Sequence, residues 1–526
     1  MLALAAAIGW GCNGCSKKAN RPETSIRPTL RLYVLGGAAG AIEPCGCVKD
    51  MLGGVDHAAS YLRAEQPRVL GQLVVGAGPM LFSDPVLDEE RTTQAEFKAK
   101  ALAESFRDMK LAAWAPGVND WALGPEKLGE LRKISGAKLL AGNLASEVPA
   151  LDATHVVKVN GLNVGLAGVA LSAHGKTSLP GASGFDDALA VLEKARRELD
   201  RKKVELKVAL VAAPRGEALR LIERVSGFQV LVVGKPHDEG EHNDEPVAPT
   251  IVADTLVVQA PNHLQGLGTI DLFVRGGDYT FEDASGIEQG ARRASLEQRI
   301  AELERRIKDW EKAGVSSSDV EARRKDLEQL RSEVAGFEAD APPTEGSYYR
   351  YQLVDVKESL GADPQVKRRL EAYYRRVNAH NKELFKDKLP PPVPEGEAGY
   401  LGAARCGACH LEEVEFWKKT PHARAYETLV KDHKQFNLEC VACHVTAYEK
   451  PGGSTVTHVE GLTDVQCEVC HGPGSLHVAN PADPKLIQAA PERSFCASAC
   501  HHPPHVKKDW SVDRAWTKIL GPGHGR

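Results

Sequence analysis

Along the first 280 residues, short apolar runs alternate with longer stretches whose apolar positions recur every three to four residues. The runs Arg31–Leu35, Gln72–Val75, Leu139–Leu140, Val164–Val169, Val208–Val211, Val230–Val233, Thr255–Gln259 and Gly268–Phe273 have the length and composition of buried strands. Between them, Gly54–Arg63, Thr92–Met109, Asp186–Leu199 and Ala218–Val225 carry helical periodicity. Such alternation predicts an α/β domain over residues 30–285, with strands sandwiched by helices.

The period then changes. Leu296, Ile300, Leu303, Ile307 and Trp310 step by four and three, as do positions in the series Val320, Leu327, Leu330, Val334 and Phe337. Two such seams around the break Ala313–Asp319 predict an antiparallel coiled-coil hairpin over residues 286–340. It is read first as an inserted spacer whose seams bury each other, and second as a partner-binding arm. Residues 341–399 hold one more strand pattern (Tyr348–Val356), a helical stretch (Pro364–Phe385) and the stiff proline-rich linker that begins at Leu389. Residues 400–526 form a cysteine- and histidine-rich tail, expected to be mainly α-helical or irregular.

Charge and length narrow the options. The 526-residue chain has room for about three domains, and its net charge of −5 lacks the basic footprint of a nucleic-acid binder. No run after the first residues approaches the roughly 18 apolar residues of a membrane span. Residues 1–29 read as a signal- or lipoprotein-like segment and linker. Met1–Trp10 is apolar, and Gly11-Cys12 offers a lipid anchor at Cys12 as one reading, a cleaved signal without an anchor as the other.

The tail carries the chemistry. Cys406-Gly-Ala-Cys409-His410, Cys440-Val-Ala-Cys443-His444 and Cys467-Glu-Val-Cys470-His471 each have the haem-attachment spacing. Two thiols one helical turn apart reach both vinyl groups of one haem, and the adjoining imidazole becomes the proximal iron ligand. Cys496-Ala-Ser-Ala-Cys500-His501 is a variant with one extra residue, giving an expected total of four haem c groups. Zinc needs closed four-ligand sets and disulfides need no histidines, so neither accounts for a histidine after every pair. Eleven of the 18 histidines lie beyond residue 400. His422 and His477 are the favoured distal ligands, with His458 and His505 behind them. Thr420-Pro421-His422 reads as a helix start capped by Thr420, placing His422, Tyr426 and Leu429 on one face.

The stretches Phe416–Tyr426, Cys440–Tyr448 and Val465–His477 resemble the tetrahaem cytochrome c-554-type family. That resemblance covers about the last quarter of the chain and implies closely packed, mostly bis-histidine haems that pass electrons. It also implies that some relatives leave one iron five-coordinate and act on small nitrogen compounds. The variant fourth site departs from the family pattern.

The N-terminal part is similar to the 5′-nucleotidase-like metallophosphatases in the segments Leu35–Cys47, Gly53–Ala59, Gly117–Gly124, Ala141–Leu144, Gly161–Gly168 and Val233–His237. This resemblance implies a β-sandwich flanked by helices and a two-metal hydrolytic site. Most metal positions are replaced: Ala38-Ala39-Gly40 stands for the Asp-x-His segment, Val75–Pro79 for the block with the bridging Asp, and Ala212–Arg215 for the later lone-His segment. Asn119, Asp120 and His237 remain, too few for two metals. Cys45 and Cys47 stand outside this scheme, as a redox or metal pair or as two inert thiols.

The expected function is therefore an exported, periplasmic multihaem cytochrome relaying electrons between redox partner proteins. The alternatives are a multihaem reductase with one five-coordinate iron and an active phosphoesterase. An electron-transfer protein is favoured over a hydrolase.

Overall fold

The computed structural model describes residues 27–44, 51–145, 151–172, 179, 184–238, 241, 243–312, 316–335, 343, 345–502, 505–506 and 510–524. The signal-like segment with Cys12, the pair Cys45 and Cys47, and Phe337 lie outside these residues. The strands are β1 (Leu30–Leu35), β2 (Gln72–Gly78), β3 (Leu111–Pro116), β4 (Lys138–Leu140), β5 (Leu151–Asp152), β6 (Thr154–Val159), β7 (Leu162–Ala170), β8 (Leu206–Ala212), β9 (Val230–Gly234), β10 (Thr250–Val252), β11 (Thr255–Val258), β12 (Gly266–Phe273), β13 (Phe281–Asp283) and β14 (Ser347–Asp355). The longer helices are α1 (Val55–Glu65), α2 (Glu89–Asp108), α3 (Gly124–Ser135), α4 (Phe185–Arg201), α5 (Arg215–Arg224), α6 (Ile287–Lys312), α7 (Ser317–Ala335) and α8 (Pro364–Leu384).

Two mixed sheets stack face to face. One runs β13-β14-β12-β1-β2-β3-β4-β5 and the other β10-β11-β9-β8-β7-β6. Parallel strands in the middle of each sheet are covered on both faces, which explains why they read as unbroken apolar runs rather than as alternation. The main core lies between the sheets and under α1, α2, α3 and α8, while a second cluster sits under α4 and α5. At their strand ends the sheets meet backbone to backbone. A Cβ on Gly234 of β9 would lie 1.9 Å from the carbonyl carbon of Ala77 in β2, so only glycine permits this approach. The result is the α/β sandwich flanked by helices that the sequence suggested.

The helical hairpin α6–α7 is inserted between β13 and β14. Its helices run antiparallel, with Arg324 paired to Glu311 and Arg331 to Glu304, both at 2.6 Å. The expected boundary at residue 285 needs correction, because β14 pairs with β12 along Gly266–Phe273 and also with β13. Chain beyond the hairpin thus completes the eight-stranded sheet, and α8 packs on α1 and α2.

The tail is built differently. Its helices are short, the longest being the eight-residue Val512–Ile519. Its one apolar cluster among the described residues is Phe385, Val441, Val445 and Val456 with half-buried neighbours. The proline-rich segment does not hold the tail away from the sandwich: the Gly452 amide donates to the Pro391 carbonyl at 2.7 Å. Further back, Asn381 Nδ2 donates to Gln94 Oε1 (2.9 Å) and to the Phe436 carbonyl (2.8 Å), while Gln94 Nε2 donates to Asn437 Oδ1 (2.9 Å). Lys98 pairs with Glu439 beside this network. No helix among the described residues is long and apolar enough to cross a membrane.

Candidate functional site

Each cysteine motif of the tail sits on a short helical turn. Cys406 ends the helix Ala403–Cys406, Cys443 and His444 lie in Val441–His444, Cys467 to His471 form one helix, and Cys496 lies in Ser494–Ala499. Buried Glu468, inside the third motif, fixes this arrangement from within. Its carboxylate accepts from the amides of Leu401, Gly402 and Gly474 at 2.7–3.0 Å. Gln466 adds a bond from the Ala403 amide, so the first and third motifs are tied together.

None of the eight motif cysteines is joined in a disulfide. Thiols from different motifs come together: Cys406 and Cys467 are hydrogen-bonded to each other, which raises Cys406 and holds Cys467 down at about 7. Burial pushes Cys470 up to about 11, with Cys496 nearby adding to the effect. Cys443 Sγ lies 3.9 Å from the Ala499 carbonyl oxygen of the variant motif. The four motifs thus adjoin in a series, first to third, third to fourth and fourth to second.

The histidines are arranged in facing pairs. His410 faces His477 with ring centroids 6.4 Å apart, His422 faces His501 at 6.2 Å, and His471 faces His524 at 6.0 Å. Two imidazoles trans to one metal, each bonded at about 2 Å, have centroids roughly 6 Å apart. Each pair joins one motif histidine to one outside any motif. Several rings are also held through Nδ1. His471 Nδ1 donates to the Gln488 carbonyl (2.8 Å), His524 Nδ1 to Pro522 (3.0 Å) and His444 Nδ1 to Ala425 (2.6 Å). A carbonyl only accepts, so these bonds put the proton on Nδ1 and leave Nε2 bare for a metal. Burial, and secondarily His501, lowers the pKa of His422 and keeps it neutral. These donor sets fit covalently attached haem, which takes two thiols and one or two imidazoles.

Some expected positions differ. His458 is held by the hydroxyls of Thr455 and Thr457, its Nδ1 at 3.4 and 3.2 Å from them, and is not brought into ring contact with a motif histidine. His505 meets His502 edge-on at 5.0 Å. His524 was not anticipated, although Gly521-Pro-Gly-His524 echoes Gly472-Pro-Gly-Ser-Leu-His477, and that repeated turn is the signal that could have found it. Thr420 does not cap a helix: its hydroxyl donates to the Trp417 carbonyl. Pro421–Arg424 is a separate turn from Ala425–Lys431, so His422 shares no helix face with Tyr426 and Leu429.

In the sandwich, Asn119 and Asp120 serve the backbone. Asp120 accepts from the amides of Met80 and Leu81, both at 2.8 Å, and of Gly117 at 3.1 Å. Asn119 Nδ2 donates to the carbonyls of Ser83 (2.6 Å) and His237 (3.3 Å). Among the described residues no three His, Cys, Asp or Glu side chains converge to hold a metal. A two-metal set does not fit here.

Residues 405–472 match the family described as cytochrome c554 and c-prime. Cytochrome c-554 of Nitrosomonas europaea is 36% identical over 95 residues, which cover 15% of this chain and 40% of that protein. The chain thus spans well under half of the length of this curated relative. Among solved structures, a 5′-nucleotidase precursor from Thermus thermophilus shares 18% identity over 69% of this chain and 61% of its own, with a TM-score of 0.45. The sulfate thiohydrolase SoxB of the same organism shares 13% identity over 82% of this chain and 73% of its own, with a TM-score of 0.43.

Proposed function

We propose that this chain is an exported multihaem c-type cytochrome that relays electrons between redox partner proteins. Four haems are held by Cys406 and Cys409, Cys440 and Cys443, Cys467 and Cys470, and Cys496 and Cys500, with His410, His444, His471 and His501 as proximal ligands. His477, His524 and His422 stand opposite His410, His471 and His501. The observation that carries this reading is the set of three histidine pairs spaced at 6.0–6.4 Å. One of them contains His501, which supports a haem at the variant motif.

Bound haem supplies one-electron transfer; the chain's part is to set ligands, spacing and surroundings. At three of the motifs two imidazoles would hold the iron and leave it no open position, which suits electron passage over substrate binding. Hydrogen bonds from Nδ1 to carbonyls hold the rings of His444, His471 and His524 in orientation and make their Nε2 more basic. Contacts between the motifs would bring neighbouring haems close together, which supports electron passage along the tail. Haem is attached to such motifs outside the cytoplasm, which puts the protein in the periplasm or on an outer surface. The sandwich is a non-catalytic platform, a reading supported by the use of Asp120 and Asn119 for backbone bonds.

A pyridine haemochrome assay with intact mass, on protein made with the haem-attachment machinery, tests the proposal. Four haems per chain are expected. Three would leave the Cys496–Cys500 motif empty and remove the role given to His422. Uptake of nitric oxide by the reduced protein, with a high-spin signal, would replace the relay by the reductase.

A further inference from the structure

Two loops at the carboxyl ends of neighbouring parallel strands bring a pair of imidazoles together outside the haem segment. His237 follows β9 and His263 follows β11, and these strands pair in parallel. Open α/β sheets bind ligands at this end. The two Nε2 atoms lie 3.4 Å apart, with the rings nearly perpendicular. His237 is 7% exposed.

Both rings are held from behind. His237 Nδ1 lies 3.2 Å from Glu241 Oε2, off the best hydrogen-bonding line. His263 Nδ1 lies 3.0 Å from Asn243 Oδ1. Lys235 pairs with Glu241 and keeps its carboxylate beside His237. The Asn243 oxygen only accepts, so His263 carries its proton on Nδ1 and turns its Nε2 lone pair toward His237. The two Nε2 atoms thus meet at 3.4 Å, where one shared proton or one bound cation can bridge them. That separation is also the edge of a tetrahedron with metal–nitrogen bonds of about 2 Å.

The backbone reinforces the geometry. His263 and Leu264 both have left-handed φ, 54° and 53°. Non-glycine residues in that region cost energy and cluster at ligand sites. The His263 amide also donates to the Gly37 carbonyl at 2.9 Å, fixing the loop.

From this we infer that His237 and His263 form a binding site for one divalent transition-metal cation of the zinc class. The carboxylate of Glu241 and the amide of Asn243 orient the two ligands, and water fills the remaining positions. This is not the two-metal set of the phosphatase-like fold: His263 stands outside the segments that carry that likeness, and Asn119 and Asp120 are engaged elsewhere. The site also adjoins the haem segment, since the charge of His505 is felt by His263. It does not depend on the electron-relay reading.

Zinc titration into the haem-loaded, chelator-treated full chain tests the inference, with haem iron as the internal count. One zinc ion per chain is expected. His237→Gln and His263→Gln should each weaken binding by more than about 10-fold, and Glu241→Gln by about 10-fold or more. His433→Gln, at an exposed position, should leave binding unchanged, and urea unfolding and far-ultraviolet circular dichroism like those of the native chain would show that the variants fold. In crystals soaked with zinc, anomalous scattering should give a peak between the two Nε2 atoms. No uptake by the native chain, equal uptake by both histidine variants, or a peak elsewhere would overturn the site and leave a pair sharing one proton.

Discussion

The carboxylate of Asp120 is 1% exposed and accepts from three backbone amides. Burial nevertheless dominates and raises its pKa from 3.8 to about 6, with the amides pulling the other way. The folded chain therefore binds this proton more tightly than the unfolded chain does. Stability tied to it is complete below pH 3.8 and is lost as pH rises through about 6. Asp120→Asn removes the titration, so the native chain's advantage over this variant should shrink between about pH 4 and about pH 7 in urea unfolding. A difference that stays constant with pH would refute the assignment. Asp120→Ala leaves the amides unmet and should cost at least about 3 kcal/mol. The sequence identified Asp120 as a relic of a metal site, but not its present use: a motif position gives the residue type, while the three donors come from two loops far apart in sequence. His524 escaped for the same reason, because its partner His471 lies 53 positions earlier in the chain.

Among the elements, the apolar runs marked the positions of the parallel strands because burial on both faces leaves an unmistakable composition. Strand β3, Leu-Ala-Ala-Trp-Ala-Pro, did not stand out. Alanine is a poor strand former, and this segment is a strand only because its neighbours β2 and β4 demand it. The join between sandwich and tail was also illegible, since it is made by polar groups. Asn381 on α8 donates to both Gln94 and the Phe436 carbonyl, and the Leu438 amide also donates to Gln94 Oε1 at 3.1 Å. Asn381→Leu would leave buried acceptors unmet, at about 1–3 kcal/mol. The expected result is a lower melting temperature and, in calorimetry, separate unfolding of sandwich and tail. A single transition at the native temperature would show that this network does not join them.

Taken whole, the molecule has two kinds of interior. The sandwich buries dozens of apolar side chains in two clusters, whereas the tail gives its cluster three buried members, Val441, Val445 and Val456, packed with Phe385 at the end of α8. A segment with so little protein core needs another source of cohesion, as small domains do; covalent haem would supply it. In a variant with all eight motif cysteines changed to serine, limited proteolysis should remove the tail and spare a fragment ending near residue 385. Equal resistance of the tail would mean that it folds on its own side chains.

The position of β14 imposes a chronology on synthesis. That strand closes the β12 edge of the larger sheet, yet it emerges only after the whole helical hairpin, and the helix that carries Asn381 follows it. The bed on which the tail lies is therefore finished last among the parts of the sandwich, just ahead of the first cysteine motif. The cysteine motifs thus follow every segment of the sandwich on which they rest, so that sheet and helix can be complete before the tail settles on them.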